Sequence, residues 1–285
     1  MSSTQDPGEF VFYHYDPCLP AACIFIALFS LTSAVHLYQL ARLRAWYFIP
    51  FLTGCCFEIV GFIGRALSAT ESPNWTTRSF TIQSLTLLLG PALLAASVYM
   101  VLGRLIQFLE AGNLSPIRPR WLTKVFVLGD VLSFVTQGAD DLSLGENVIV
   151  AGLAIQIVFF GVFIIAIVVF HYRINASPTT TSSTTNVPWR RFLQVLYVAS
   201  CLIMIRSVFR VAEYAMGSDG PLLSSEAYLY VFDAALMFVV AAMFNVFYPG
   251  KIIPRPQRDS YYEMSLQTPK PESSQGRLND TSESV

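Results

Sequence analysis

The sequence is poor in charged residues. Asp, Glu, Lys and Arg make up 13% of its 285 residues, while hydrophobic types make up 54%. A water-soluble domain usually carries about 25% charged residues, so the surface of this chain cannot all face water. The formal net charge of −1, without a visible basic patch, argues against a nucleic-acid partner.

Cysteine and histidine are few, and their positions argue against a disulfide framework and a metal site; we also expect no cofactor. The three histidines are far apart along the chain, and there is no CxxC pair. No GxxxxGK[ST] sequence is present, so we do not expect ATP to drive any activity, and we expect no catalytic residues. The number of cysteines is odd, and four lie inside apolar runs: Cys23, Cys55, Cys56 and Cys201.

Long apolar runs dominate what is present. A helix needs roughly 20 apolar residues to cross a bilayer core about 30 Å thick. Seven segments reach that length and predict an all-α, polytopic membrane protein with a seven-transmembrane-helix bundle within residues 18–250. The segments are about 18–40, 46–67, 79–104, 122–142, 148–171, 192–214 and 227–248.

The distribution of Lys and Arg predicts that the N-terminus lies outside and the C-terminus in the cytosol, because cytoplasmic loops retain these residues. With that orientation the outer loops hold Arg78 alone. Eleven basic residues then lie near the inner ends of the helices: Arg42, Arg44, Arg118, Arg120, Lys124, Arg173, Arg190, Arg191, Lys251, Arg255 and Arg258.

The parts of the chain outside the apolar segments are polar. Residues 1–17 are predicted to form an extracellular N-terminal segment, and the Ser-, Thr- and Pro-rich residues 251–285 a disordered cytosolic tail. The Ser/Thr run at 177–185 predicts a flexible cytosolic linker. Asn74, within Asn-Trp-Thr in an outer loop, is a candidate for glycosylation.

Ionisable residues inside the apolar segments are the strongest functional signal in the sequence. A charge presented to lipid at mid-bilayer costs about 2.5–3.5 kcal/mol, so seven together would cost roughly 20 kcal/mol. These side chains must therefore face the bundle interior and pair there, or line a hydrated cavity. The seven are Glu58, Arg65, Asp130, Arg206, Arg210, Glu213 and Asp233.

Helical spacing restricts how these charges can pair. Arg210 and Glu213 are three residues apart and can bond within one helix, which leaves Arg206 in need of an acid from another helix. Glu58 and Asp233 are the acids at suitable depth, given a rise of about 1.5 Å per residue. The sequence therefore predicts a contact from Arg206 to one of these two acids.

Two glutamines join the charges in a predicted substrate-binding or gating network. Gln83 and Gln137 lie towards the outer side, as most of the charged residues do, whereas Asp130 lies towards the inner side. Arg65 shares a helix face with Glu58 but lies about 10 Å away along the axis, so each should find a partner on another helix. The alternative is a structural salt-bridge network that never touches a substrate, and the sequence leaves both readings open.

Gly90-Pro91 interrupts the third predicted segment. Proline should kink the helix and free a backbone carbonyl, which neighbouring groups must then satisfy. Because broken helices line the binding sites of transporters, Pro91 is a candidate helix kink beside the network.

Seven helices in this orientation also fit other classes of membrane protein. A microbial rhodopsin needs a Schiff-base lysine inside its seventh helix, but Lys251 lies past the end of that segment. A membrane zinc hydrolase needs several histidines at bundle depth, which this sequence does not supply. A seven-helix receptor or stress sensor is the alternative to a transporter.

Six stretches of the sequence resemble, in the same order, those of the fungal lipid-translocating exporters of the aminocholesterol-resistance type, a family that includes sphingoid long-chain base exporters. Together they span residues 13–250 and contain Pro91 and all the residues of the predicted network. The stretches are YHYDP (13–17), EIVGFIGR (58–65), QSLTLLLGPALLAASVY (83–99), FVLGDVLSFVTQ (126–137), GLAIQIVFFGVF (152–163) and the run from RSVFRVAEYAMG to FNVFYPG (206–250).

The resemblance implies an integral protein of a fungal plasma membrane, or of a vacuolar or other endomembrane. It implies a lipid-translocating exporter or flippase-like transporter that moves, or confers tolerance to, an amphiphile such as a sphingoid base or a sterol-like toxin. The implied partners are membrane lipids or amphiphilic small molecules, with the oligomeric state left open. Where the family usually has a glycine-rich run, this chain has GADDLSLGEN (138–147), which puts a shared substrate range in doubt.

The buried charges suggest how such an amphiphile would bind. A cationic headgroup would meet Glu58 and Asp233, and it would compete with Arg206 and Arg210 for these acids. The tail would stay in lipid, so only the headgroup needs a polar path.

Overall fold

Every regular element among the described residues is helical. The computed structural model describes residues 17–71, 76–115, 142–216 and 226–252. The long helices are α1 Leu19–Leu43, α2 Ile49–Glu71, α3 Thr77–Phe108, α4 Leu142–Ala176, α5 Trp189–Ala215 and α6, which consists of Glu226–Leu229, the π-helical segment Tyr230–Ala235 and Leu236–Val246. Three short helical turns are Trp46–Phe48, Thr180–Thr184 and Pro249–Ile252.

The six long helices are long and apolar enough to cross a membrane, which confirms an all-helical integral membrane protein. They correspond to six of the seven predicted segments. The predicted fourth segment, 122–142, lies almost wholly outside the described residues, as do Asn74 and nearly all of 1–17 and 251–285. The count of seven helices and the orientation of the termini therefore stay predictions.

The helices pack in an order that brings distant parts of the chain together. Helix α1 contacts α2 and α6, and α2 packs closely along α3. Helix α3 also contacts α5, which in turn packs against α4 and α6. As a result α2, α3, α5 and α6, the four described helices that carry the predicted site residues, form one connected group.

Glycines allow α2 and α3 to approach closely. A Cβ atom at Gly54 would lie 2.8 Å from the carbonyl oxygen of Gly90, and one at Gly61 would lie 2.5 Å from the Leu87 side chain. Gly54 and Gly61 are seven residues apart, so they lie on the same face of α2. Small residues drive helix association in lipid because they let two backbones come into contact. We call this contact the glycine seam.

Replacing Gly54 with Ala should separate the two helices at the seam. The added methyl group would meet a backbone oxygen, which cannot move aside as a flexible side chain can, so we expect a loss of about 1–3 kcal/mol in the free energy of unfolding. The matched control is Gly161→Ala in α4, where the nearest atom is 3.9 Å from the new Cβ. Thermal unfolding in detergent should show a lower midpoint for Gly54→Ala only, and equal midpoints would argue against a tight seam.

The Ser/Thr run predicted to be a flexible linker is instead folded. Thr180–Thr184 forms a helical turn that begins with Thr179 as its N-cap, whose side-chain oxygen accepts a hydrogen bond from the Ser182 backbone N–H. The Thr179 hydroxyl also donates to the carbonyl oxygen of Leu109 at the end of α3. The prediction of flexibility was wrong because it rested on composition, whereas hydroxyl side chains can cap and anchor a short turn.

Two buried polar side chains attach α1 to α6. His36 Nε2 lies 3.0 Å from the carbonyl oxygen of Ala241, and Gln39 donates to the carbonyl oxygen of Asn245 at 2.9 Å. The His36 ring also lies against Phe48 and Phe51. This histidine therefore holds two helices together, as a buried hydrogen-bonded ring commonly does.

Candidate functional site

Four charged side chains from α5 and α6 form what we call the central network. Asp233 accepts a hydrogen bond from Arg206 Nε at 2.7 Å and a second, charge-assisted bond from Arg210 Nη2. Arg210 Nη1 donates to Glu213 at 2.8 Å, across three residues of α5. All four side chains are buried. The sequence-based pairings of Arg206 with Asp233 and of Arg210 with Glu213 are therefore both present.

A local change of helix type places Asp233 in this network. Asp233 lies inside the π-helical segment Tyr230–Ala235, which interrupts the α-helical hydrogen bonding of α6. A π-turn inserts one residue into the helical register and is frequent at functional sites. The carboxylate is 2% exposed and receives two guanidinium groups. Nothing in the sequence indicated this turn, because one π-turn does not alter the apolar character of a segment.

Pro91 explains why Arg206 also contacts the backbone of α3. In α3 the missing N–H of Pro91 leaves the carbonyl oxygen of Leu87, four residues earlier, without its usual helical donor. Arg206 Nη2 donates to this oxygen at 2.6 Å. The expected neighbour that satisfies the freed carbonyl is thus a charged residue of the network, and Arg206 links α3, α5 and α6. Helix α3 continues through Pro91 to Phe108, and the kink at Pro91 stays a prediction.

A second ion pair, which we call the Arg65 clamp, joins α2 to the start of α6. Arg65 Nε and Nη2 donate to Glu226 Oε1 at 2.9 and 2.7 Å, and Nε also lies 3.2 Å from the Tyr230 hydroxyl. The other carboxylate oxygen of Glu226 accepts a bond from the Cys18 backbone N–H at 2.8 Å, just before α1. The sequence predicted a partner for Arg65 on another helix, but Glu226 lies one residue before the predicted segment 227–248, so this partner was missed.

Replacing Glu226 with Gln should loosen the clamp. The change removes the carboxylate that faces the buried guanidinium of Arg65, and we expect a loss of about 3 kcal/mol, the lower end for a broken buried pair, because the Glu226 side chain is 13% exposed. The control is Glu110→Gln, whose carboxylate accepts a hydrogen bond from exposed Thr181. Thermal unfolding in detergent should separate the two variants. Equal midpoints would mean that the clamp adds little to stability.

Glu58, unlike the charged residues of the central network and the Arg65 clamp, forms no ion pair with a described residue. It lies in α2 at the glycine seam and is 1% exposed, and a Cβ at Gly90 would lie 2.9 Å from its Oε1 atom. Within the described part of the chain neither carboxylate oxygen has a hydrogen-bond partner. The alternative pairing of Arg206 with Glu58 is absent, because Arg206 is bonded to Asp233 and to Leu87. Glu58 therefore lies beside the central network without being bonded into it.

Of the remaining predicted network residues, the structure describes one, Gln83. Gln83 is buried in α3, one turn before Leu87, and a Cβ atom at Gly64 of α2 would lie 3.3 Å from its backbone nitrogen. Asp130 and Gln137 lie outside the described residues. A groove of about 290 Å³ lies elsewhere, between the first turns of α5 and the end of α6; its lining includes Arg191, Val195 and Phe247 and none of the network residues.

Several known proteins are similar to this chain over most of its length. Protein RTM1 of Saccharomyces cerevisiae is 40% identical, with 86% of this chain and 94% of that protein aligned. Protoporphyrin uptake protein 1 of the same yeast is 35% identical over 86% of this chain and 93% of its own length. Sphingoid long-chain base transporter RSB1, also from Saccharomyces cerevisiae, is 25% identical, with 79% of this chain and 70% of that protein aligned. No solved structure matches.

A family profile covers most of the chain. The family described as RTA1 like protein matches residues 51–256, which include all but the first two residues of α2, all of α3 to α6 and all the described site residues. With this match, and with relatives of 35% and 40% identity aligned over most of their length, the chain belongs to the RTA1-like family.

Proposed function

We propose that this protein is a multi-pass lipid transporter that exports or flips a cationic amphiphile, such as a sphingoid base, without ATP. The observation that carries the proposal is Glu58, a buried carboxyl group without a described hydrogen-bond partner beside a paired charge network. Relatives are named as a probable lipid transporter and as a sphingoid long-chain base transporter, which supports the substrate class.

Glu58 is better suited than Asp233 to bind the headgroup. Asp233 already accepts bonds from Arg206 and Arg210, so a headgroup would have to displace a guanidinium group to reach it. Glu58 has both oxygens available. The sequence-based scheme, in which both acids bind the headgroup, therefore narrows to Glu58 as the primary contact, with Arg206 and Arg210 holding Asp233 in place.

The described state is closed around Glu58. The side chain is 1% exposed, and Gly90 of α3 lies opposite it across the seam. A headgroup can reach the carboxylate only after α2 and α3 separate, so transport requires at least one other state in which the seam opens. Pro91 supports this requirement, because the helix lacks one of its own backbone hydrogen bonds next to Gly90.

The membrane arrangement is part of the proposal. We propose seven helices, with residues 122–142 as the fourth, an external N-terminus, a cytosolic C-terminus and a plasma-membrane location. A C-terminal tag should be protected in intact cells and accessible only after permeabilisation, whereas a tag near residue 5 should be accessible directly. The opposite pattern would reverse the orientation.

Reconstitution tests the function itself. Purified protein in phosphatidylcholine vesicles should move a fluorescent sphingoid base between leaflets faster than protein-free vesicles do. It should leave the N-acetylated analogue, which has no positive charge, at the protein-free rate. A receptor or stress sensor would accelerate neither compound, and that outcome would refute the proposal.

A further inference from the structure

The charges of the central network cancel without Glu58. Arg206 and Arg210 carry two positive charges, and Asp233 and Glu213 carry two negative charges. The Arg65 clamp is neutral by itself, since it pairs one guanidinium group with one carboxylate. Glu58 therefore brings a negative charge into the interior that no described residue balances.

The described groups around Glu58 do not neutralise its negative charge. The described ionisable groups that interact with it electrostatically are Cys55 on its own helix, Arg206 and Arg210 on α5, and Asp233 on α6. On α3 its neighbour is Gly90, which has no side chain to offer. An ionised carboxylate enclosed without a partner is strongly destabilising. Binding one monovalent cation removes this cost.

We propose that Glu58 is a proton-binding site and that a proton and the cationic headgroup compete for it. In the closed state the carboxyl group holds the proton. When an ammonium headgroup binds, the O–H bond breaks, the proton leaves to water, and the carboxylate pairs with the headgroup. Each headgroup that binds therefore releases one proton, and the total charge of the site does not change. This inference rests on the proposed function.

The exchange gives the transporter an energy source. A site that always holds one cation, either a proton or a headgroup, links the movement of one to the opposite movement of the other. With the outside more acidic, protons displace headgroups at the outer side, and headgroups displace protons at the inner side. The result is outward movement of the amphiphile without ATP.

Proton release on binding tests the inference directly. The probe is a fluorescent alkyltrimethylammonium compound, whose charge does not change with pH, added to protein in phosphatidylcholine nanodiscs in weak buffer. We expect one proton released per probe bound, and an apparent Kd that rises about tenfold for each unit of falling pH where the proton competes. Glu58→Gln should release none. Glu71→Gln, the same change on the same helix, should behave as the parent protein.

Carbodiimide labelling supplies a measurement that does not depend on transport. Dicyclohexylcarbodiimide reacts with protonated carboxyl groups in apolar surroundings: the carboxyl proton passes to a carbodiimide nitrogen, and the carboxyl oxygen adds to the central carbon. We expect peptide mapping to find the adduct on Glu58 and not on Asp233 or Glu213, which pair with arginines. The alkyltrimethylammonium probe should slow the labelling.

The outcomes separate this inference from the function on which it rests. If the vesicles transport the sphingoid base but probe binding releases no proton and Glu58 stays unlabelled, the proton site is wrong and the transporter stands. If no cationic probe binds or moves, both proposals fail. If Glu58→Gln does not fold, proton release and labelling of the parent protein still decide the question.

Discussion

Asp233→Asn should cost about 3–5 kcal/mol in the free energy of unfolding, the usual cost of breaking a buried ion pair. Asp233 is the carboxylate that Arg206 and Arg210 share, and an asparagine would leave Arg206 without an acidic partner deep in the bundle. Arg210 keeps Glu213. The expected result is a much lower thermal midpoint in detergent, with little monodisperse protein recovered.

A second substitution distinguishes lost charge from altered shape. Asp233→Glu keeps the negative charge on a longer side chain, so its thermal midpoint should fall between those of the parent protein and Asp233→Asn. Glu110→Gln, on an exposed carboxylate, controls for the general effect of losing a charge. If Asp233→Asn unfolds at the same temperature as this control, the central network is not what holds α5 to α6.

The sequence predicted the central network well because pairing in an apolar interior leaves few choices. Spacing along one helix required Arg210 to meet Glu213, and it left Arg206 with two acids at suitable depth. The choice of Asp233 over Glu58 could not be made from spacing. It depends on the π-segment of α6, which contains Asp233, and on the freed carbonyl of Leu87, which accepts a hydrogen bond from Arg206 Nη2.

Glu226 was missed for a different reason. Apolar runs define where a helix lies in lipid, but backbone hydrogen bonds continue a helix past the apolar part. Glu226 is helical in the structure, so a residue just outside the predicted segment 227–248 belongs to α6 and pairs with Arg65. The same limitation explains why α4 begins at Leu142 rather than at the predicted 148.

The glycine seam was visible in the sequence only as isolated glycines. Gly54, Gly61 and Gly90 acquire their meaning when two helices are placed side by side, since each glycine lies opposite an atom of the other helix. The same contact between α2 and α3 places the Glu58 carboxyl group next to Gly90. A larger residue at Gly90 would occupy the space of the Glu58 carboxyl group, so the seam encloses the acid.

Glu58→Gln should separate transport from stability, and this is the largest functional effect that we expect. The substitution keeps the size and hydrogen-bonding capacity of the side chain but removes its charge. Because Glu58 has no described hydrogen-bond partner to lose, stability should change by less than about 1 kcal/mol, unlike Asp233→Asn. A charged hydrogen bond to the headgroup contributes about 1.5–3 kcal/mol, so sphingoid-base transport should fall about 10- to 100-fold.

The measurement is the leaflet-exchange rate in vesicles, taken with the thermal midpoint of the same preparation. Glu58→Asp keeps the charge on a shorter side chain and should retain part of the rate, because the carboxylate can still reach a headgroup when the seam is open. Glu71→Gln on the same helix should transport as the parent protein does. If Glu58→Gln instead loses stability as Asp233→Asn does, Glu58 has a structural role in the bundle. If it is stable and transports at the parent rate, the headgroup binds elsewhere and Glu58 is not part of the binding site.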